Sequence, residues 1–494
     1  MDTTVSWVLI GTIALDLVIR VTAIIVVPPN RRPTSGMAWL MAIFFIPVLG
    51  IIVFLLIGSP KLPRKRRETQ REINQVIEQT LAAHPEPTAP GEPHWLDSLI
   101  TMNTRLGALP LTGGNEAELI GDYDETIARM AAEIDTATTY VHVQFYILVF
   151  DRATTPVFDA MARAVARRVR VNVLMDHWAC SRKPFYRETQ AKLTDIGVEW
   201  HLMLPLKPLE GKFQRPDLRN HRKILVVDGT VAYLGSFNLT HRSYNLPKNL
   251  KRGLQWQELV ARVTGPAVYA ADAVFLSDWY SETGEVLDTP MIRAIEEPTS
   301  AGSAIQAIGS GTLEAQVLPS GPGFEYENNL RLFLGMIHGA QQRIVITSPY
   351  FVPDESIMYA VTSAVARGVP VDLFVSEIGD QAMVYHAQRS YYEQLLRHGV
   401  RIFLYPEPYI LHAKHFSIDD DVALIGSSNM DMRSFELNME VSLLVRGESF
   451  VRQMREVEDE YRAISRELTL DEWQQQGLWP RILDNLARLT SALQ

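Results

Sequence analysis

Cysteine is almost missing from this chain of 494 residues, which contains only Cys180. One cysteine excludes an internal disulfide and any metal cluster built on several cysteines, and it is typical of a chain made for a reducing compartment. An excess of positive charge is also missing, because 57 acidic residues outnumber 47 basic ones and give a net charge of -10. This balance argues against a general nucleic-acid binder, so an anionic substrate would have to be attracted by local positive charge.

Charged residues are absent between residues 35 and 59, where leucine, isoleucine, phenylalanine and valine dominate. A helix of about 24 residues is roughly 36 Å long, which is enough to cross a bilayer with some tilt. Pro47 and Gly50 would be costly inside a soluble helix but are tolerated in a membrane helix. The sequence therefore predicts a transmembrane helix over about residues 35–58.

A second apolar stretch covers about residues 5–27 and contains Asp16 and Arg20. Their spacing of four lets the two side chains pair along one helix face, which lowers the cost of burying them in lipid. We predict another membrane helix here, with a re-entrant or interfacial helix as the alternative. A cleaved signal peptide is not expected, because no basic segment precedes the apolar run. Together the two helices form a predicted transmembrane hairpin over residues 1–60.

Basic residues flank the predicted hairpin unevenly. Two of them, Arg31 and Arg32, lie between the apolar stretches. Six follow the second stretch: Lys61, Arg64, Lys65, Arg66, Arg67 and Arg71. The positive-inside rule therefore predicts a multi-pass protein whose remaining chain lies in the cytoplasm. Residues 61–94 are predicted to form a basic juxtamembrane segment and a proline-rich tether. The basic part is interpreted as a stop-transfer flank, with the gathering of anionic lipid headgroups as a second role.

One polar motif occurs twice in the chain. Its second copy follows the first by 191 positions and keeps every offset. The first copy comprises His221, Lys223, Asp228, Gly235, Ser236 and Asn238, and the second His412, Lys414, Asp419, Gly426, Ser427 and Asn429. A lone His-x-Lys-x-x-x-x-Asp triplet arises by chance in on the order of one in fifty chains of this length. Two copies that are each followed by the same Gly-Ser-x-Asn sequence do not arise by chance. Duplication of an ordinary scaffold would not explain why the best-matched stretch is its most polar one.

The residue types in the motif suit phosphate chemistry. Residues 224–227 predict a buried strand, on which alternation points His221 and Lys223 to the same face. An imidazole, an ammonium group, the hydroxyl of Ser236 and the amide of Asn238 supply donors for a phosphate. Two copies provide two histidines, as phosphoryl transfer through a covalent intermediate requires. One attacks phosphorus and the other protonates the leaving oxygen.

Beyond the tether, short apolar runs alternate with helix-like stretches, which predicts an α/β fold with a central sheet flanked by helices. The same order returns in the second half, where residues 426–437 align with 235–246. We therefore predict two copies of one domain, over residues 95–296 and 313–470, joined by a linker at 297–312.

The last segment, residues 471–494, is predicted to be an amphipathic helix. Its apolar residues fall at helical spacing: Trp479, Ile482, Leu483, Leu486, Leu489 and Leu493. Two interpretations remain open. The apolar stripe packs on its own domain, or it lies in the lipid interface near the active-site mouth.

These features resemble the phospholipase D superfamily and, within it, the bacterial cardiolipin synthases of the phospholipase D type. The resemblance extends to the membrane hairpin and is densest over residues 347–355, 389–400, 411–414 and 433–440. One stretch departs from it. Residues 239–244 read Leu-Thr-His-Arg-Ser-Tyr where such synthases usually have an Ile-Gly-Asp-Glu-Tyr-like sequence. This departure bears on the choice of acceptor more than on the chemistry.

The resemblance implies two domains that are related by a pseudo-twofold axis and share one active site. It implies a cardiolipin synthase that transfers a phosphatidyl group between two phosphatidylglycerols, through a phosphatidyl-histidine, and releases glycerol. His221 is the expected nucleophile and His412 the acid, although the symmetric motifs leave the reverse open. Neither a metal nor another cofactor is expected, because one phosphodiester is exchanged for another. The expected partners are phosphatidylglycerol and the anionic bilayer of a bacterial inner membrane, without nucleic acid, and an oligomer is left open.

The remaining candidates surround the histidines. Lys223, Lys414, Asn238 and Asn429 are expected to hold the non-bridging phosphate oxygens, and Ser236 and Ser427 either to join them or to fix turns. Glu258 and Glu440 are expected to hold the imidazoles in one tautomer, with solvated strand-end glutamates as the alternative. Asp228 and Asp419 complete the catalytic motif, but their position along the strands predicts that they fix turns.

Other functions fit parts of the pattern. One is a membrane-bound phospholipase D that uses water or another alcohol as acceptor, and another is a nuclease of the same superfamily. An inactive membrane scaffold is the alternative outside enzymes. The second lipid, phosphatidylglycerol or phosphatidylethanolamine, is also left open.

Overall fold

A computed structural model describes residues 2–29, 33–58, 66, 68, 93–206, 215–289, 292, 311–324 and 327–489. Most of the predicted basic flank and tether, most of the predicted linker, and Leu493 lie outside the described residues. For those segments the sequence predictions stay predictions.

The chain begins with three apolar helices: α1 (Asp2–Val26), α2 (Pro33–Phe45) and α3 (Pro47–Ile57). Among the described residues, α1 is the only helix long and apolar enough to cross a membrane, with a mean hydropathy of 2.2 over Leu9–Val26. Asp16 and Arg20 form the expected ion pair along it, at 2.7 Å. The first predicted span is therefore one continuous helix.

The second predicted span is wrong as a single helix. The helix ends at Ile46, whose backbone is not helical (φ -137°, ψ 75°), and α3 starts at Pro47. Proline has no N–H to donate, and its ring collides with the carbonyl four residues earlier, which breaks the helix. The two pieces fold against each other, since the rings of Trp39 and Phe54 lie 5.4 Å apart. A Cβ on Gly50 would lie 2.7 Å from the carbonyl oxygen of Ala42.

Each piece is too short to cross a bilayer alone. At about 1.5 Å per residue, 13 and 11 residues span roughly 20 and 16 Å, whereas the hydrocarbon core is about 30 Å thick. The predicted two-helix transmembrane hairpin and multi-pass topology are thus corrected to one candidate span followed by a broken apolar segment.

The rest of the described chain is an α/β structure. Its helices are α4 (His94–Arg105), α5 (Tyr123–Thr136), α6 (Thr155–Ala166), α7 (His177–Ser181), α8 (Tyr186–Asp195), α9 (Pro247–Arg252), α10 (Ala267–Thr283), α11 (Asn328–Gly339), α12 (Glu355–Ala366), α13 (Ala382–Arg389), α14 (Tyr392–Arg397), α15 (Met432–Glu436), α16 (Glu448–Ile464), α17 (Leu470–Gln474) and α18 (Leu478–Arg488).

Its strands are β1 (Thr112–Ile120), β2 (Tyr140–Phe145), β3 (Arg170–Asp176), β4 (Glu199–Met203), β5 (Arg219–Asn220), β6 (Lys223–Val227), β7 (Val231–Gly235), β8 (Gln255–Gln257), β9 (Val260–Thr264), β10 (Leu313–Ser320), β11 (Ile344–Thr347), β12 (Phe351–Val352), β13 (Val371–Ser376), β14 (Arg401–Tyr405), β15 (Tyr409–Leu411), β16 (His415–Ile418), β17 (Val422–Gly426), β18 (Met430–Asp431), β19 (Asn438–Arg446) and β20 (Arg466–Leu468).

One large sheet runs through both domains. Its order is β20-β14-β13-β11-β16-β17-β19-β10-β1-β9-β7-β6-β2-β3-β4, with β5 added beside β19. Read outward from the antiparallel β1–β10 junction, the two halves repeat the same arrangement of strands. The predicted α/β fold, with two similar domains about a pseudo-twofold axis, is confirmed.

Buried aliphatic residues explain the central strands. Every residue of β6 and β7 is buried, as expected for strands covered by other elements on both faces.

Helix α10 contacts β10 of the second domain, and α16 contacts β1 of the first. One hydrophobic core therefore contains residues from both domains, including Phe275, Trp279, Phe450 and Met454. The two domains are held as a single body, which fixes the two motifs relative to each other.

Helix α4 starts the predicted first domain but packs elsewhere. Its residues Leu96, Leu99 and Ile100 belong to the same core as Phe333 and Met336 of α11, in the second domain. The two domains are therefore also connected at the start of the first.

The C-terminal helix α18 docks in an unexpected orientation. Its buried residues are Asp484 and Ala487, whereas Leu478, Trp479, Leu483, Leu486 and Leu489 are exposed. The interpretation that the apolar stripe packs on its own domain is wrong for these five residues, because the helix packs through Asp484 and Ala487, and Ile482 is half-buried.

Candidate active site

Short strand pairings between the domains bring the two motifs together. Strand β5, just before His221, pairs with the start of β19 in the second domain, and β15, just before His412, pairs with β8 in the first. The backbone N–H of His221 donates to the carbonyl of Met439 (2.8 Å), and that of His412 donates to Gln257 (2.7 Å). The backbone of each histidine is thus hydrogen-bonded to the residue immediately before a glutamate of the opposite domain.

The side chains cross between the domains in the same way. Nδ1 of His221 lies 2.9 Å from a carboxylate oxygen of Glu440, and Nδ1 of His412 lies 2.8 Å from one of Glu258. All four side chains are buried. A carboxylate can only accept, so Nδ1 carries the proton and Nε2 is the free nitrogen of each neutral ring. The glutamates therefore hold the histidine tautomers, each from the domain opposite to its histidine.

The serines of the motif hold the glutamates. Ser427 donates to Glu440 at 2.5 Å, and its oxygen accepts from the backbone N–H of Val441 at 3.0 Å. Ser236 likewise accepts from the backbone of Leu259 at 3.0 Å, and it hydrogen-bonds Glu258. The serine hydroxyls are thus used to orient carboxylates, and their predicted contact with phosphate stays a prediction.

The glycines of the motif allow strands to approach closely. A Cβ on Gly235 would lie 2.4 Å from the carbonyl oxygen of Leu259, and one on Gly426 would lie 2.4 Å from that of Val441. Side chains at these positions would push the serine away from the glutamate strand. This steric limit explains why glycine precedes serine in both copies.

The two lysines are buried next to the histidines. Lys414 donates to the carbonyl of its own His412 at 2.7 Å, and Lys223 makes the same contact with His221. The ring of Tyr146 lies edge-on to His221, at 4.7 Å between centroids, and the ammonium of Lys223 lies 5.4 Å from that ring. The ammonium groups are therefore fixed beside the imidazoles.

Burial changes the protonation of these groups. It lowers the pKa of His221 and of His412 to about 4, which favours neutral rings, although the glutamates act in the opposite direction. It also lowers the pKa of Lys223 to about 7 and that of Lys414 to about 8. For Glu258 and Glu440, burial alone would raise the pKa, but the adjacent histidines and lysines outweigh it and lower the pKa.

A cavity of about 640 Å³ opens beside the histidines. His221, His412, Asn238 and Asn429 all line it. The amide of Asn238 donates to the hydroxyl of Tyr244 at 2.7 Å. The oxygen of the Asn429 side chain is buried and has no hydrogen-bond partner within the described part of the chain. The structure therefore brings the predicted histidines and asparagines of both motifs to one space.

The two aspartates of the motif lie elsewhere. Asp228 accepts from the backbone N–H groups of Thr138, Thr139 and Tyr140, and Asp419 from those of residues 341–343. Both have positive φ, at 51° and 48°. Neither lines the cavity, and these hydrogen bonds agree with the prediction that the two aspartates fix turns at the far ends of the strands.

Several cavity residues were not predicted as site residues. They are Tyr146, Lys183, Tyr244, Tyr350, Asp380, Asp431, Arg433 and Asn438. Tyr350, Arg433 and Asn438 belong to stretches that carry the family resemblance, which is the signal that identifies them. Tyr146 and Lys183 have no counterpart in the repeated motif, so repetition could not reveal them.

The equivalent arginines of the two copies differ in position. Arg433 lines the cavity and donates to the carbonyl of Asp217 at 3.2 Å. Arg242 instead lies 4.8 Å from the ring of Tyr123 and donates to Gln255 at 2.9 Å. The site is therefore symmetric in its histidines, lysines and glutamates but not in its outer wall.

The described residues include no cluster of three or more His, Cys, Asp or Glu side chains that could hold a metal ion. Positive charge at the site comes from Lys223 and Lys414 beside the histidines. Four further basic residues line the cavity wall: Arg182, Lys183, Lys248 and Arg433. The arrangement suits attack on a phosphodiester by one histidine and protonation by the other.

Comparison with known proteins agrees with this chemistry. Residues 130–279 and 333–461 match the family described as cardiolipin synthase, PLD-like domain, and residues 17–59 match the phospholipase D-nuclease N-terminal family. Cardiolipin synthase A of Yersinia pseudotuberculosis serotype O:1b (strain IP 31758) is 30% identical over 498 residues, covering 99% of this chain and 96% of that protein. Cardiolipin synthase A of Edwardsiella ictaluri (strain 93-146) is 30% identical over 501 residues, with the same two coverages.

Among solved structures, the phosphatidylserine synthase of Haemophilus influenzae Rd KW20 is similar in fold. Its TM-score is 0.57 at 15% identity, over 80% of this chain and 97% of that chain. At this identity the likeness concerns the fold alone. The family matches, which cover more than half of the chain, and the full-length relatives confirm the predicted family: the chain belongs to the cardiolipin synthases built on phospholipase D-like domains and is a phosphatidyltransferase.

Proposed function

We propose that this enzyme makes cardiolipin from two phosphatidylglycerols, by moving the phosphatidyl group of one to the primary hydroxyl of the other. The observation that carries the proposal is the crossed pairing of His221 with Glu440 and of His412 with Glu258 at one cavity. Two imidazoles held in the same tautomer supply a nucleophile and an acid to the same phosphorus atom.

In the first step, Nε2 of His221 forms a bond to phosphorus, and the bond from phosphorus to the glycerol headgroup breaks. The departing oxygen takes a proton from Nε2 of His412. Free glycerol and a phosphatidyl-histidine result. Glu440 stabilises the positive charge that develops on the ring of His221, as a buried carboxylate does for an imidazolium.

In the second step, His412 is neutral and takes the proton of the primary hydroxyl of a second phosphatidylglycerol. The oxygen attacks phosphorus, the bond to His221 breaks, and cardiolipin leaves. Each step exchanges one phosphorus bond for another, and the second step returns to His412 the proton that the first step removed. The cycle therefore closes without an external energy source.

The charges of the site favour this order of protonation. Two ionised glutamates balance two lysine ammonium groups when both histidines are neutral. A phosphodiester adds one negative charge, which raises the affinity of a nearby imidazole for a proton. Substrate binding thus protonates the acid histidine, whose pKa is about 4 in the free enzyme.

The lysines and asparagines of the motifs hold the non-bridging oxygens, where negative charge grows in the transition state. Removing one such donor typically costs on the order of 10² to 10³ in rate. Arg433 of the second domain lines the cavity, whereas the equivalent Arg242 of the first domain does not. Arg433 therefore contacts only one of the two lipids. This asymmetry gives donor and acceptor lipids different surroundings.

The catalytic domains face the cytoplasm in this proposal. In this topology α1 crosses the membrane once, and the broken α2–α3 segment enters and leaves the bilayer on the same side. Arg31 and Arg32 then lie on the same side of the membrane as the six basic residues of the 61–71 flank. All eight then lie on one side, which satisfies the positive-inside rule better than a hairpin that separates them. A membrane-impermeant thiol reagent should label Thr3→Cys in intact cells and should not label Glu456→Cys.

The activity is tested with purified protein reconstituted in vesicles of phosphatidylglycerol, alone and mixed with phosphatidylethanolamine. Cardiolipin and glycerol should appear in equal amounts, and His221→Ala and His412→Ala should each abolish both. Phosphatidic acid without cardiolipin would identify water as the acceptor and overturn the proposal. Glycerol in excess of cardiolipin in the mixed vesicles would identify another lipid acceptor.

A further inference from the structure

Helix α18 is attached to the protein by the side that carries Asp484 and Ala487. Asp484 is buried and accepts from Nδ1 of His386 at 2.7 Å, and its carboxylate lies 3.4 Å from Nε of Arg389. Arg488 lies over the ring of Tyr391 at 4.8 Å. These contacts fix the rotation of α18 about its own axis, so the opposite side must face away from the domain.

That opposite side is apolar. Leu478, Trp479 and Leu489 are 70%, 75% and 81% exposed, and Leu483 and Leu486 are also exposed. At about 100° per residue these five positions form one continuous stripe, with the half-buried Ile482 among them. In a helix that belongs to a hydrophobic core the large apolar side chains are buried, whereas in α18 they are exposed and the buried residues are Asp484 and Ala487. Its partner must therefore lie outside the domain.

The stripe lies close to the mouth of the active cavity. Helix α18 packs on α13, and Val384 of α13 lines the cavity only two residues from His386. Met383, which precedes Val384, is also exposed. One short helix thus separates the stripe from the space that holds the two histidines.

Another part of the cavity wall combines apolar and basic residues. Trp178 and Lys248 line the cavity. Leu250, two residues after Lys248, is exposed, as are Lys251 and Arg252. Exposed apolar side chains beside exposed basic ones are typical of a surface that enters the headgroup region of an anionic bilayer. Apolar and basic side chains together at the entrance of a lipid site favour an anionic bilayer over a protein as the partner.

We propose that α18 lies in the lipid interface, with its stripe of Leu478, Trp479, Leu483, Leu486 and Leu489 in the acyl boundary, and thereby holds the cavity mouth on the anionic bilayer. The inference deepens the proposed function and rests on it for the lipid substrate. A phosphatidylglycerol then enters the cavity from the bilayer without crossing water. Helix α1 keeps the enzyme at the membrane, whereas α18 sets its orientation there.

The first test measures depth. Leu486→Cys and Glu456→Cys, labelled with an environment-sensitive fluorophore, are compared in full-length protein reconstituted in phosphatidylglycerol-containing vesicles. Native Cys180 is buried, and labelling of the unmodified protein measures its background. Lipids brominated near the headgroup should quench the label at 486 and leave the label at 456, on the exposed side of α16, unchanged. No quenching at 486 would overturn the proposal, and so would a fluorescence change that follows protein concentration in the absence of lipid, because it would indicate a second copy as the partner.

The second test measures activity. Leu486→Glu should lower cardiolipin formation in vesicles about tenfold or more, because a charge replaces a buried leucine in the interface. In detergent micelles, where lipid reaches the cavity without docking, its activity should stay within about twofold of the unmodified enzyme. Gln475→Glu adds the same charge before the stripe and should change neither rate. If Leu486→Glu lowers the activity equally in vesicles and in micelles, the docking proposal is contradicted. If the unmodified enzyme is inactive in both, the result counts against the proposed function instead.

Discussion

Nδ1 of His221 lies 2.9 Å from Glu440, a carboxylate that belongs to the opposite domain. Its counterpart, Glu258, holds His412 in the same way at 2.8 Å. Neither domain therefore supplies the carboxylate for its own motif histidine. The active site exists only when the two repeats are packed together, and this relationship determines the predictions below.

Replacing Glu440 by glutamine should lower the rate of cardiolipin formation by about 10² to 10⁴, because an amide can donate to Nδ1 and select the wrong tautomer. The initial rate in phosphatidylglycerol vesicles measures the loss. Glu456→Gln, on the exposed side of α16, is the control and should retain full activity. Equal rates for the two variants would show that Glu440 does not position the histidine.

The two glutamates should affect different half-reactions. A phosphatidyl substrate with a good leaving group, such as nitrophenol, needs no acid for the first step. With it, Glu258→Gln should release nitrophenol in a first turnover at nearly the normal rate, whereas Glu440→Gln should not. Rapid-mixing absorbance measures that burst. The opposite result would reverse the nucleophile and acid assignments.

The activity should fall at alkaline pH because the lysines lose their charge. Burial lowers the pKa of Lys223 to about 7 and that of Lys414 to about 8, so rising pH through this window removes the charges that hold phosphate. The profile of kcat/KM against pH should therefore decline there. In Lys223→Arg, which keeps its charge at all relevant pH values, the decline should move toward pH 8, whereas Lys414→Arg should leave it near pH 7. A decline that is unchanged in both variants would mean that other groups control it.

Asp228→Asn should weaken the fold more than the chemistry. Its carboxylate accepts from the N–H groups of three consecutive residues, and loss of the charge should cost about 1 to 3 kcal/mol of unfolding free energy. Denaturant unfolding in detergent measures the loss, with Asp420→Asn, an exposed neighbour of the equivalent Asp419, as the control. Activity per folded molecule should remain near normal. A large fall in that specific activity, without a loss of stability, would return Asp228 to the catalytic residues.

The sequence predicted the α/β class, the repeat and the site residues because their signals are local. Apolar runs identified the buried strands β6 and β7, and the identical spacing of the two motifs indicated two equivalent domains. It did not predict which glutamate serves which histidine. That pairing depends on contacts between β5 and β19 and between β8 and β15, which join segments far apart in the chain.

In the membrane segment, composition alone gave the wrong prediction about which apolar stretch forms a continuous helix. Composition alone favoured residues 35–58 as the better span, since this stretch has no charged residue. The break at Ile46 and the close packing at Gly50 are effects of backbone geometry. The first stretch is one continuous helix, since no proline interrupts it, and its charged residues Asp16 and Arg20 pair along one face. In α18, periodicity identified the stripe but not the side on which it lies, since that depends on the partner of Asp484.

The central claim is that two histidines from opposite domains act on one phosphorus atom, with His221 forming the covalent bond. Its most direct test is to incubate His412→Ala with the nitrophenyl phosphatidyl substrate, stop the reaction at mildly alkaline pH, and map the modified peptide by mass spectrometry. The account predicts one phosphatidyl group on His221, and none in a parallel sample of His221→Ala. A phosphatidyl group on another residue, or nitrophenol release without any modified histidine, would contradict it.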